Sequence, residues 1–248
     1  MFKFFKEMVD SFKEGIAEGK EELKQEAAEK EQKEAANQET AQNEIDAIDF
    51  DEKFGTALGA PFRVVIFGDW FTLFGSNDND PTIPLHLYTF GTYPNKEKFV
   101  EELSKSINRD FDINDKESCK DILASYFKIA GINQDNTLLQ DKTSNKVDAT
   151  MWDITKEGSK ALITAVVSHI ISASVDVGYL TKNEALPLLQ NINVFAKENY
   201  SNWQNYSDAF LTGDKNIGLN NSMGRSVLSK YIKHLNTKKG SPWNNISW

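Results

Sequence analysis

Few residues in this chain are of types and spacings that could do covalent or metal chemistry. The three histidines, His86, His169 and His234, lie far apart, and none has a second ligand-type residue at the short spacing of a zinc site. One cysteine, Cys119, can form neither an internal disulfide nor a thiolate cluster. The sequence contains no glycine-rich phosphate loop, nucleophile elbow or HExxH motif. These patterns predict no metal and no cofactor. Carboxylates and rings remain. Asp153, Tyr179 and Asp208 would make an acid/base site if the fold brought them into one cleft with Trp203, Asp153 acting as the acid or base. A carboxylate of raised pKa in that cleft would mark it. Trp152, Trp203, Tyr206, Trp243 and Trp248 form an aromatic set suited either to a core or to anchoring a partner. A basic set, Arg225, Lys230, Lys233, His234, Lys238 and Lys239, suits the C-terminal half of a helix or an acidic partner.

The elements that must position these groups are helices. Phe99, Leu103 and Ile107 repeat at every fourth residue over residues 96–108. Asn114 reads as the cap of a helix reaching Ile129, with Glu117 completing a capping-box analogue and Gly131 ending it. Residues 151–177 form the longest helical stretch, and the apolar run between Ala161 and Val175 makes it central and buried. Thr181 with Glu184 caps a helix that runs past Pro187 to about Tyr200. Ser201 caps another that Gly213 closes, and residues 222–235 form a last amphipathic helix. Two readings stay open near residues 62–90. Phe62, Val65, Ile66, Trp70 and Leu73 fit one helical face behind Pro61, whereas residues 63–67 and 70–74 around Gly68 and Asp69 fit a small β-hairpin. The expected fold class is mainly α, with a single helical domain over residues 54–248 preceded by a charged helical arm over residues 1–46.

That arm carries thirteen acids against seven lysines, six of the nine net negative charges. Phe2, Phe5, Val9, Phe12, Ile16 and Leu23 recur as a heptad seam, which would dock on the protein's own domain or pair in a homo-oligomer. Attachment to a membrane surface is the competing use of the seam, and Glu7, Asp10, Glu14 and Glu18 on its polar face oppose an anionic bilayer. Lys6, Glu7 and Asp10 also interrupt what would be the apolar stretch of a secretion signal. Over the 248 residues, 40% are hydrophobic and 26% charged, enough apolar residues for a core without metal or disulfide staples. The net charge of −9 disfavours nucleic acid, because phosphates demand a basic surface. Sparse cysteine makes a reduced cytoplasm the default location.

Several short motifs occur in a characteristic order. Trp152-Asp153-Ile154 is followed by Gly178-Tyr179-Leu180-Thr181 with Glu184-Ala185, then by Tyr200-Ser201-Asn202-Trp203 and Gly213, and finally by Ser241-Pro242-Trp243 and Trp248. Together with Phe111-Asp112-Ile113-Asn114-Asp115-Lys116 and Leu123, this order resembles the bacterial domain-of-unknown-function family that includes the YbeR and YbeU proteins, over roughly residues 105–248. Lys156 and Asp214 stand where that family tends to carry arginine. The resemblance implies a mainly helical bacterial domain and supplies no reaction. The expected function is a non-enzymatic protein-interaction module, of the immunity type that neutralises a toxin. The alternative is an enzyme using Asp153 in an aromatic-lined cleft.

Overall fold

No charged residue lies between Lys160 and Asp176, and a helix that is apolar on every side has to be covered on every side. The computed structural model describes residues 39–67, 84–93, 96–132, 138–139, 145–213 and 222–248. Its helices are α1 (Phe50–Leu58), α2 (Ala60–Phe67), α3 (Lys96–Phe111), α4 (Lys116–Ala130), α5 (Glu157–Asp176), α6 (Lys182–Asn199), α7 (Trp203–Gly213), α8 (Ser222–Thr237) and α9 (Pro242–Asn245). Single 3-10 turns occur at Leu85–Leu87 and Ala149–Met151. The chain divides into two compact units, Met1–Glu44 and Ile45–Trp248. Of the first, residues 39–44 are described and are helical. The seam residues Phe2, Phe5, Val9, Phe12, Ile16 and Leu23 lie outside the described residues.

In the larger unit α5 is the axis, and α1, α2, α3, α4, α6 and α7 all pack against it. By length and composition α5 could cross a membrane, but 89% of its apolar window is buried by these neighbours, so it serves as the core of the fold. Small residues let the neighbours come close. A Cβ on Gly59, at the break between α1 and α2, would lie 2.7 Å from Ser168 Oγ and 2.8 Å from the His169 backbone nitrogen. At the start of α5, a Cβ on Gly158 would lie 2.6 Å from the nitrogen of Gly213, so α5 and α7 cross with backbone against backbone.

The mainly α class is what the structure shows, and among the described residues no strand occurs. The hairpin reading is corrected at residues 63–67, which form the second half of α2. Helical winding there turns Arg63 toward Asp176 and buries Val64, which a strand would send to the opposite face. Residues 70–74 lie outside the described residues. α5 begins at Glu157 rather than Met151, because Asp153 Oδ1 accepts from the Thr155 backbone N–H and hydroxyl and holds residues 153–155 in a turn. Asp115, not Asn114, caps α4, and its box closes on Ser118. The Thr181–Glu184 capping box of α6 and the left-handed Gly131 after α4 are as the sequence predicts.

Candidate functional site

The acid/base candidates sit on different elements. Asp153 is exposed in the turn before α5, where the Thr155 hydroxyl at 2.6 Å and Lys156 Nζ at 3.1 Å hold its carboxyl below the usual range. Tyr179, half-buried just past α5, sets its hydroxyl 3.2 Å from Ser104 Oγ on α3. Asp208 is exposed on α7 and accepts from Gln204 Nε2 at 2.9 Å, one turn away. Among the described residues no hydrogen bond or ion pair joins any one of the three to another.

Four of the five aromatic candidates do converge. Trp203 on α7 stacks on Trp243 of α9, ring centroids 5.5 Å apart at 13°, and meets Trp248 edge-on at 4.8 Å. Tyr206, one turn along α7, lies 5.9 Å from each of the other two tryptophans, and Phe54 of α1 closes the group at 5.1 Å from Trp203. Every polar atom on these rings is bonded to main chain. Trp203 Nε1 donates to Ile246 O (2.7 Å), Trp243 Nε1 to Ala57 O (2.9 Å), Trp248 Nε1 to Tyr200 O (2.8 Å) and the Tyr206 hydroxyl to Leu58 O (2.8 Å). Two of those acceptors belong to the last turn of α1, whose carbonyls have no partner within the helix. The rings thus cap α1 and fill the core together. Trp152 stands apart from them, edge-on to Tyr126 of α4 at 5.5 Å.

A second convergence was missed by the sequence patterns. Residues 84–93 are clamped by buried charges from three helices. Arg63 of α2, 1% exposed, sends Nε to His86 O at 2.9 Å and Nη1 to Asp176 Oδ2 at 3.0 Å, and its guanidinium lies 5.1 Å from the centre of the Tyr93 ring. Asp176 also accepts from the Tyr93 hydroxyl at 2.9 Å and from the Gly91 backbone N–H at 2.6 Å. On the far side of the segment, the buried carboxylate of Glu52 takes the Thr89 hydroxyl and Lys182 Nζ. Burial first, and the Arg63 cation second, push both His86 and His169 down to about 3, so both imidazoles are neutral at pH 7. Burial, with Asp176 beside it, raises Tyr93 well above its ordinary value. Arg63 Nη2 and His169 Nδ1 are buried without a hydrogen-bond partner. The two cations of this set, Arg63 and Lys182, each meet an anion, Asp176 and Glu52, so the arrangement fixes a segment of chain between three helices.

One signal was available. Arg63 is the single Lys or Arg between Lys53 and Lys96, and Asp176 the single charged residue between Lys160 and Lys182. Lone opposite charges inside apolar segments have to find each other if both segments are buried.

The outward face of α6 is uncharged over its middle. From Ala185 to Ala196 it has no charged residue. Pro187, Gln190 and Val194 point to solvent, Val194 being 54% exposed, and Phe50 of α1 is 38% exposed. Phe50 stacks on Phe54, and Lys197 of α6 holds its Nζ 4.5 Å from the Phe50 ring centre. An uncharged strip, with Gln190 between Pro187 and Val194, is thereby presented between charged ends.

The family model described as "Protein of unknown function (DUF1266)" matches residues 3–248. No curated protein and no solved structure matches the chain. With the match running through nearly every residue, from the N-terminal segment to the Trp243–Trp248 ring cluster, the chain belongs to the DUF1266 family.

Proposed function

We propose that this chain is a non-enzymatic protein-interaction module of the bacterial cytoplasm, of the immunity type that neutralises a toxin by covering it, and that within its family it stands with the YbeR and YbeU proteins, which its motif order resembles. The observation that carries the reading is the uncharged outer face of α6, with Val194 and Pro187 exposed and Phe50 beside it. In a chain with 26% charged residues, a twelve-residue stretch of surface helix without one favours a surface that another protein covers. One further feature weighs against the acid/base alternative: the Asp153 carboxyl is held below the usual range rather than raised.

Photo-crosslinking in the native cell tests this. A crosslinker at position 194 or 187 is expected to trap a discrete partner, and one at the exposed Lys156 is not. Adducts of equal intensity from all three positions, or none from 194 and 187, refute the α6 face. For the immunity role, co-expression with a toxin encoded beside the gene should restore growth, and Val194→Glu should abolish the rescue.

A further inference from the structure

Residues 215–248 contain Lys215, Arg225, Lys230, Lys233, Lys238 and Lys239 and no Asp or Glu, whereas all 37 acids and the other 22 bases precede them. A chain that is acidic overall thus carries one segment that is wholly basic. α8 buries Leu228, Tyr231, Ile232 and Leu235 and turns Ser226, Ser229, Lys230, Lys233 and Thr237 to solvent, with Lys239 exposed just beyond its end. Lys230, Lys233 and Lys239 form no ion pair among the described residues. The helix dipole accounts for cations in the last turn only, and Lys230 lies about two turns before the end of α8. The backbone beyond α8 is also fixed. Asn244 Nδ2 donates to Lys238 O at 2.8 Å, Asn245 Nδ2 to Lys239 O at 2.7 Å, and the Tyr88 hydroxyl to Gly240 O at 3.0 Å.

We propose that the exposed lysines of α8, Lys230 and Lys233, together with Lys239 in the turn just beyond it, form a docking surface for an acidic segment of a partner protein. Charge complementarity selects that occupant. A long nucleic acid would run off the patch onto a remainder carrying fifteen net negative charges. A membrane would need apolar side chains to insert, and the α8 residues described as exposed are Ser226, Ser229, Lys230, Lys233 and Thr237. A short run of carboxylates meets three ammonium groups that form no ion pair among the described residues, and then ends. The tied backbone around Lys239 limits the ordering cost of binding.

The test titrates the full-length chain with a short fluorescent polyglutamate peptide at low and high salt, followed by anisotropy. Binding is expected at low salt, with loss at high salt as the charges are screened. The variant K230E/K233E/K239E is expected to bind on the order of tenfold more weakly, the sum of three exposed ion pairs, with an unchanged circular dichroism spectrum. Val194→Glu should leave peptide binding intact, so a failure here is separable from a failure of the α6 reading. Equal peptide binding by the triple variant, or no binding by the parent chain at low salt, overturns the proposal. Tighter lysine-dependent binding of duplex DNA or of phosphatidylserine vesicles also overturns it and reassigns the face.

Discussion

Trp243 is the most instructive single residue to perturb. It is 4% exposed, its ring stacks on Trp203 at 5.5 Å and meets Tyr206 at 5.9 Å, and its N–H caps Ala57 O at 2.9 Å. Trp243→Ala removes both contributions, and full truncation of a buried aromatic costs about 3–5 kcal/mol. Trp243→Phe separates them. It keeps much of the ring contact and loses the donor, leaving a buried carbonyl short of a partner for about 1–3 kcal/mol. Against a total stability of about 5–15 kcal/mol, the alanine variant should unfold at a visibly lower urea midpoint, with the phenylalanine variant between it and the parent. Far-ultraviolet circular dichroism is the proper readout, since tryptophan fluorescence changes with the substitution itself. A loss within about 0.5 kcal/mol for Trp243→Ala, the range of indifferent surface positions, would refute the ring cluster as a source of stability. Equal losses for both variants would show that the hydrogen bond, not the packing, carries the effect.

Arg63 and Asp176 should behave as one unit. Arg63→Met or Asp176→Asn alone leaves a buried charge unpaired and is expected to cost about 3–5 kcal/mol, while the double variant should lose clearly less than the sum. Additivity within about 0.5 kcal/mol in the double-mutant cycle would mean the 3.0 Å pair contributes nothing specific. Acid should weaken the fold in two stages. With folded values near 3 against 6.5 for a free imidazole, His86 and His169 take protons first in the unfolded chain, so stability falls as pH drops below about 6.5, by up to about 1.4 kcal/mol per pH unit for each. Glu184, lowered to about 2 by Lys116 and the Thr181 cap, withdraws its contribution only below about 4.5. Urea midpoints at pH 7, 6 and 5 check the first stage, and a flat profile would disprove the burial of the two imidazoles. His169→Phe, set between Phe62 and Phe111, should remove about half of that slope.

How much of this was legible in the sequence depended on whether the deciding interaction was local. Thr181 with Glu184, Gly131 at a left-handed C-cap and the uncharged run inside α5 are short-range signals, and each marks a real boundary or burial. The β-rich run at residues 63–67 was ambiguous because its helical state is set from a distance, by an ion pair with a residue 113 positions away. The ring cluster was legible as a list of tryptophans and Tyr206. Its role was not, since the acceptors that occupy the donors are α1 carbonyls, Tyr200 O and Ile246 O, and the identity of a backbone acceptor leaves no trace in composition. Asp153 and Tyr179 flank opposite ends of α5, a 20-residue helix about 30 Å long, and the order of motifs along the chain does not convey that distance.

The contacts that close the core also carry a kinetic consequence. Tyr206 reaches Leu58 across 148 residues, Trp243 reaches Ala57 across 186, and Tyr88 reaches Gly240 across 152. Closing loops of that length costs entropy before any contact rewards it, so neighbouring pairs such as α5 with α6 should assemble first and the ring cluster late. Interactions formed after the rate-limiting step act on the rate of escape from the native state rather than on the rate of arrival. The three linked tryptophans would then work as a latch on unfolding. Weakening them should shorten the lifetime of the folded chain while leaving its refolding rate nearly unchanged.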